Sequence, residues 1–327
     1  MRPSLERRKM HRFIKNSIIT VLAVTTLFFT IPFCSEAETG LSGKIVFHNY
    51  SSYDNADSRL YIYDFKTDDL KCISENWTNV KNPMNANFGK DGQSIVFMGQ
   101  VDDEWDIFEY TNGALEPVNL TKGNGLDDED PKYDPSGKNI IFKQSNPSGK
   151  GTRIVKYNRS KKKLTVLIKG RSEKSMPYYS KNGKQIYYVE GLGKKMSIYV
   201  AGKNGKNKKL LYQKDGVQSY YPIVSDNGKY LYFSRGYSKK NRVDQIIRYN
   251  LKTGKAKSLK CNSKYFDCSD TCCVSSKYII ISCSKEEGTG GYDLYLVNTR
   301  SGEMTNLNTF NSKINTPLEE LGCDYFE

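Results

Sequence analysis

The sequence predicts an all-β fold, a six-bladed β-propeller of four-stranded blades, and three observations predict it. A tight polar turn recurs as Gly89-Lys90-Asp91-Gly92, Asp134-Pro135-Ser136-Gly137-Lys138, Ser180-Lys181-Asn182-Gly183-Lys184 and Ser225-Asp226-Asn227-Gly228-Lys229, with a weaker copy at Val274-Ser275-Ser276-Lys277. The anchors Gly43, Gly92, Gly137, Gly183, Gly228 and Ser276 follow one another at 45 to 49 residues, the period of a propeller blade. Between the turns lie short runs rich in β-branched and aromatic residues, and helical periodicity is absent after residue 37.

Residues 1–37 stand outside the repeats. Arg2, Arg7, Arg8, Lys9, Arg12 and Lys15 precede an uncharged apolar run from Ile18 to Phe33, and Ser35-Glu36-Ala37 places small residues where a signal peptidase reads. This pattern predicts a secretory signal helix cut after Ala37. A retained signal anchor is the alternative, because the run is near the lower length limit for a spanning helix. The propeller then fills 38–327. The expected location is secreted or extracytoplasmic, at the cell envelope, with no transmembrane segment after cleavage.

The third repeat shows how one blade is built. Pro131-Lys132-Tyr133 is expected to be the inner strand, followed by the turn at Asp134–Lys138. Asn139-Ile140-Ile141-Phe142, Arg153-Ile154-Val155-Lys156-Tyr157 and Leu164-Thr165-Val166-Leu167-Ile168 are the next three strands. Lys203-Asn204-Gly205 and Lys252-Thr253-Gly254 are hairpin turns of later blades. The first repeat begins abruptly at its second strand, Ile45-Val46-Phe47. Its missing inner strand is expected from Gly322-Cys323-Asp324-Tyr325-Phe326, pairing with Gly43-Lys44-Ile45-Val46-Phe47 to close the ring. Ser276 replaces the turn glycine in the sixth repeat, which marks that blade as distorted or specialised.

The turn runs resemble the Ser-Pro-Asp-Gly-Lys motif of the WD40-like repeats called PD40, which build the propeller of the TolB family. Asp134-Pro135-Ser136-Gly137-Lys138, with Pro131 and Tyr133 ahead of it, matches best, and the resemblance covers residues 43–327. It implies a TolB-like propeller fold and an envelope setting. TolB proper carries an α/β domain before its propeller, for which this chain has no room. The lipoprotein partner and translocation role of TolB are therefore not carried over.

Charge narrows the partners. The formal net charge is +14, and residues 138–264 hold 32 basic residues against 5 acidic ones. Lys194, Lys195, Lys239, Lys240 and Arg242 lie in loops between second and third strands and are candidates for binding an anionic partner. Lys161-Lys162-Lys163 and Lys206-Asn207-Lys208-Lys209 fall on the opposite face. Basic charge spread over both faces suits diffuse attraction to an anionic polymer or surface, and does not mark a specific nucleic-acid site.

Groups for chemistry are scarce. After residue 37 one histidine remains, His48, and no nucleophile motif accompanies it. No catalytic set is expected, and no cofactor. Seven cysteines remain: Cys72, Cys261, Cys268, Cys272, Cys273, Cys283 and Cys323. Their odd number excludes complete pairing. Cys272 and Cys283 fall on core positions of the repeat, and the spacing of the group does not fit a metal site. Asp127-Asp128-Glu129-Asp130 is the densest acidic run and is expected to be a solvated loop in preference to a calcium site.

Loop aromatics supply the candidate ligand face: Tyr50, Tyr53, Trp77, Trp105, Tyr220, Tyr237 and Tyr292. The expected function is a secreted, non-catalytic module binding a protein or an envelope polymer. Two alternatives are a TolB-like envelope assembly component and a carbohydrate-active enzyme. The enzyme would need an acidic pair at the channel mouth, drawn from Asp102, Asp103, Glu104, Asp127, Asp128, Glu129 and Asp130.

Overall fold

The computed structural model describes residues 41–327, except 194 and 238–242. The expected signal segment and the basic loop residues Lys194, Lys239, Lys240 and Arg242 lie outside the described residues. Lys195 is described and exposed.

Among the described residues, twenty-four strands form six separate four-stranded antiparallel sheets arranged as blades. Blade 1 holds β1 (Lys44–Tyr50), β2 (Arg59–Asp64) and β3 (Asp69–Cys72). Blade 2 holds β4 (Lys81–Phe88), β5 (Ser94–Val101), β6 (Glu104–Thr111) and β7 (Val118–Asn119). Blade 3 holds β8 (Asp127–Tyr133), β9 (Asn139–Ser145), β10 (Arg153–Asn158) and β11 (Lys163–Ile168). Blade 4 holds β12 (Glu173–Tyr179), β13 (Gln185–Gly191), β14 (Ser197–Gly202) and β15 (Lys209–Tyr212). Blade 5 holds β16 (Val217–Val224), β17 (Tyr230–Tyr237), β18 (Gln245–Asn250) and β19 (Ala256–Ser258). Blade 6 holds β20 (Cys268–Cys273), β21 (Tyr278–Cys283), β22 (Asp293–Asn298) and β23 (Met304–Asn306). The last strand, β24 (Glu319–Phe326), returns to blade 1 as its inner strand.

The expected latch is present. Lys44 faces Phe326, Ile45 faces Tyr325 and Val46 faces Asp324. The turn chemistry follows its residues. In blade 3 the Gly137 N–H donates to the Asp134 carbonyl at 2.8 Å, while Asp134 Oδ1 accepts from the N–H groups of Lys138 and Asn139. Ser180 and Ser225 hydroxyls serve the same purpose in blades 4 and 5. In blade 6, Ser275 Oγ accepts from the N–H groups of Lys277 and Tyr278, so a shorter turn forms without a glycine. Blade 6 is nevertheless a complete four-stranded sheet like the others.

The core lies between blades. One apolar cluster joins blades 1 and 2 through Val46, Leu60, Phe88 and Phe97. Another joins blades 6 and 1 through Phe47, Cys272, Ile280 and Cys323. Cys272 and Cys283 are buried core residues, as the repeat pattern predicts.

One expectation fails. Asp127–Asp130 is not a solvated loop; it is the first half of β8, and Asp128 is fully buried. Aspartate is poor in isolated strands, but position in the sheet decides. Asp128 accepts from Asn124 Nδ2 at 2.7 Å and Gln144 Nε2 at 2.8 Å, which supplies the partners its burial requires. Burial still pushes its carboxyl up to about 7.

Candidate functional site

Every inner strand is interrupted at the same place. Asn85, Asp130, Met176, Tyr221, Asp270 and Gly322 have φ values between 46° and 61°, and each sits where the register to the neighbouring strand shifts. The first four lie seven positions before the turn glycines Gly92, Gly137, Gly183 and Gly228. A bulge of this kind re-aims a side chain out of the strand alternation. Left-handed backbone is costly for residues with a β-carbon, and Met and Tyr are poorly suited to it. Together the six residues ring the central channel, and all of them line it.

The bulged backbone is supported from the neighbouring blade. The Asn85 N–H donates to His48 Nδ1 at 3.4 Å, and the Tyr221 N–H donates to Met176 Sδ at 3.3 Å. Asn85 Nδ2 donates to Asp130 Oδ1 at 2.9 Å. Further along the same inner strands, Asp324 Oδ2 accepts from Asn87 Nδ2 at 2.7 Å and the Phe88 N–H at 2.8 Å, while Asn87 Oδ1 accepts from the Tyr133 N–H. Blades 1, 2 and 3 are thus stitched by side chains as well as packed.

The channel opens into a cavity of about 350 Å³ on the face formed by loops between second and third strands. Tyr50, Tyr53 and Tyr292 stand at this mouth with Glu129, Lys143 and Glu173. Lys143 Nζ lies 2.5 Å from Glu129 Oε2. Burial alone would lower Lys143, but Glu129, with Asp130 and Glu173, reverses this and holds it above its ordinary value. Burial pushes Asp270 up to about 6, against a hydrogen bond from Ser269 and with the help of Asp130 and Asp244. Tyr50 is raised to about 12, first by burial and then by Glu319 and Asp270. His48 is lowered to about 3 by burial, assisted by Lys132, so it is neutral at physiological pH. The mouth is therefore acidic and aromatic, with carboxylates outnumbering cations.

The sequence-based ligand face divides. Tyr50, Tyr53 and Tyr292 converge at the mouth. Trp77 does not: it stacks on Phe97 with ring centroids 5.2 Å apart and packs against Tyr110. Trp105 lies in β6 rather than a loop and packs between blades 2 and 3. Tyr220 lies in β16 and packs between blades 4 and 5, while its neighbour Tyr221 takes the channel. Tyr237 ends β17, and its side chain lies outside the described residues. The residues missed were the channel positions Asn85, Met176 and Tyr221, whose constant offset from the turn glycines was the available signal, and Asp270, in the blade whose turn lacks a glycine.

The acidic candidates divide too. Asp102 and Asp103 are exposed in the β5–β6 turn, and Asp127 accepts the Trp105 N–H. Glu129 and Asp130 reach the mouth, joined there by Glu173 and Asp270. Among the described residues no group of three or more His, Cys, Asp or Glu side chains is placed to hold a metal ion. Among the same residues no helix is long and apolar enough to cross a membrane.

Comparison with solved structures identifies the same fold in several settings. TolB from Acinetobacter baumannii is similar with a TM-score of 0.69 at 17% identity, covering 89% of this chain and 69% of that one. A chain of a nidogen/laminin complex is similar at 0.62 and 11% identity, covering 86% and 98%. Oligogalacturonate lyase from Vibrio parahaemolyticus is similar at 0.55 and 11% identity, covering 80% and 78%. At these identities the likeness is one of fold alone. No curated protein matches the sequence. Residues 43–260 match the PD40 family, the TolB beta propeller domain, which joins the sequence repeat to the blades now described: this chain belongs to the TolB β-propeller family.

Proposed function

We propose that this propeller is a non-catalytic binding module of the cell envelope, exported by its N-terminal segment, which receives a segment of a protein partner at the channel mouth. The observation that carries the reading is the ring of bulged inner-strand residues opening into an acidic, tyrosine-lined mouth. A rigid closed ring holds these groups in place, so little ordering entropy is lost on binding. Tyr50, Tyr53 and Tyr292 offer apolar area with hydroxyl groups, and Asp130, Glu173 and Asp270 favour a segment carrying a cationic side chain or amino group. TolB and the nidogen/laminin complex supply propellers of the same fold, the second by its name within a protein–protein complex.

Catalysis has less support. Glu129 is bound by Lys143, Asp130 by Asn85, and the lowered His48 is a weak base. The basic exposed loops are better placed as a second, diffuse contact with anionic envelope material.

The test is a pull-down from envelope extracts of the source organism with the full chain. Retention of a protein by the native chain, and at least a tenfold loss with Tyr50→Ala or Asp270→Asn, is the expected outcome. The same protein retained equally by both variants would place the partner elsewhere. Release of unsaturated or reducing sugars from envelope glycans by the native chain would favour the enzyme instead.

A further inference from the structure

The two ends of the ring meet at a pair of thiols. Cys272 belongs to β20, the inner strand of blade 6, and Cys323 belongs to β24, the inner strand of blade 1. Their sulfur atoms are 3.6 Å apart. A disulfide needs an S–S separation of about 2.05 Å, so the sulfurs must approach by roughly 1.5 Å, within reach of small side-chain rotations. Both residues are buried in the same apolar cluster, yet both line the channel, which gives a small reagent a route to them.

The place is as telling as the distance. β24 is held to β1 by a hydrogen-bonded ladder, but blades 6 and 1 are separate sheets. Side-chain packing joins β20 to β24 across that boundary. A bond between Cys272 and Cys323 would tie the final strand to the preceding blade, where no sheet ladder does so.

We propose that Cys272 and Cys323 form an intramolecular disulfide that closes the ring covalently, with a small-molecule or protein disulfide as the oxidant. The Cys323 thiolate attacks one sulfur of the oxidant, forming a mixed disulfide and releasing one thiol. The Cys272 thiolate then attacks Cys323 Sγ, forms the Sγ–Sγ bond and displaces the second thiol. The protein loses two protons and two electrons; the oxidant gains both and leaves as two thiols.

Blade 6 contains its own comparator. Cys268 and Cys283 face each other across β20 and β21, also with sulfurs 3.6 Å apart. A bond there would link strands already paired, and would leave ring closure unchanged. Burial holds the Cys272 thiol well above its usual range, so its thiolate is scarce. Exchange in the folded protein is accordingly slow, on a scale of hours.

The purified full chain, incubated overnight with glutathione disulfide at pH about 8, should be blocked with N-ethylmaleimide in denaturant and digested for mass spectrometry. The expected result is a peptide pair joined through Cys272 and Cys323 that disappears on reduction. The oxidised chain should melt on the order of 5–10 °C above the reduced chain. That difference should vanish in Cys323→Ser and persist in Cys283→Ser. Complete maleimide labelling of both Cys272 and Cys323 after incubation would overturn the proposal. So would a melting difference unchanged in Cys323→Ser. If that variant does not fold, the peptide map of the native chain decides alone.

Discussion

At the residue scale, one tight constraint sits where β24 crosses β1. Gly322 has φ 61°, and a β-carbon there would lie 2.5 Å from His48 Cε1. Gly322→Ala therefore combines a disfavoured backbone with overpacking, and should destabilise the fold by about 2–3 kcal/mol in urea unfolding. His48 and Asp128 predict opposite pH responses. His48 is held near 3 in the fold, below its ordinary 6.5. The unfolded chain binds the proton first as pH falls, so the stability contributed by neutral His48 is present above 6.5 and is lost towards 3. Asp128 is raised to about 7, so its contribution is present below about 4 and is lost as pH rises through 7. The stability gap between the native chain and His48→Gln should therefore shrink between pH 7.5 and 4.5, by on the order of a few kcal/mol. The gap to Asp128→Asn should shrink in the other direction over the same range. Two gaps that move together would show that these assignments of charge are wrong.

At the scale of the element, the closing strand decides whether six blades make a ring. Phe326 rests against Gly92, where a β-carbon would strike its ring, and packs near Phe88 with centroids 5.9 Å apart. Deleting residues 319–327 should remove the inner strand of blade 1, expose the edge of β1 and replace one cooperative thermal transition by a broader, lower one. A truncated chain melting like the native one would deny β24 its structural role. Phe326→Ala should be milder, about 1–2 kcal/mol. This latch was legible because a repeat that starts at its second strand must find an inner strand elsewhere, and Gly322–Phe326 was left over at the end. The middle strands were legible for a similar reason: Ile140, Ile141 and Phe142 are apolar in the pattern that both faces of a buried blade require. The inner strands were harder. Their channel-facing residues escape apolar alternation, because a left-handed residue breaks it in each blade. That is why Asp127–Asp130 reads as a loop in the sequence, and why the sequence points to Tyr220 where Tyr221 takes the position. Trp77 shows the converse error: a loop residue in sequence, it folds back onto the core between blades 1 and 2.

At the scale of the whole molecule, charge is divided between the outer turns of the blades and the channel mouth. Blades 3 to 5 carry the lysine-rich stretch, and Lys161, Lys162, Lys163, Lys206, Lys209, Lys252, Lys255 and Lys257 are all exposed. The mouth, by contrast, gathers Glu129, Asp130, Glu173 and Asp270. Two separate contacts follow from this separation. Exposed lysines act through a screened field whose reach is about 8–10 Å at physiological ionic strength, so their contribution should fall quickly with salt. Glu129, Asp130 and Asp270 are part-buried in the mouth, less open to screening by bulk water, and depend more on fit. A column of anionic polysaccharide should therefore retain the chain at roughly 0.05 M salt and release it by roughly 0.3 M, without regard to Asp270→Asn or Tyr50→Ala. Replacing Lys161, Lys162 and Lys163 together by Gln should shift elution to lower salt while leaving mouth-dependent protein capture intact. Retention that survives high salt, or that the mouth variants abolish, would mean that polymer and protein compete for one site, and the basic outer turns would lose their separate role.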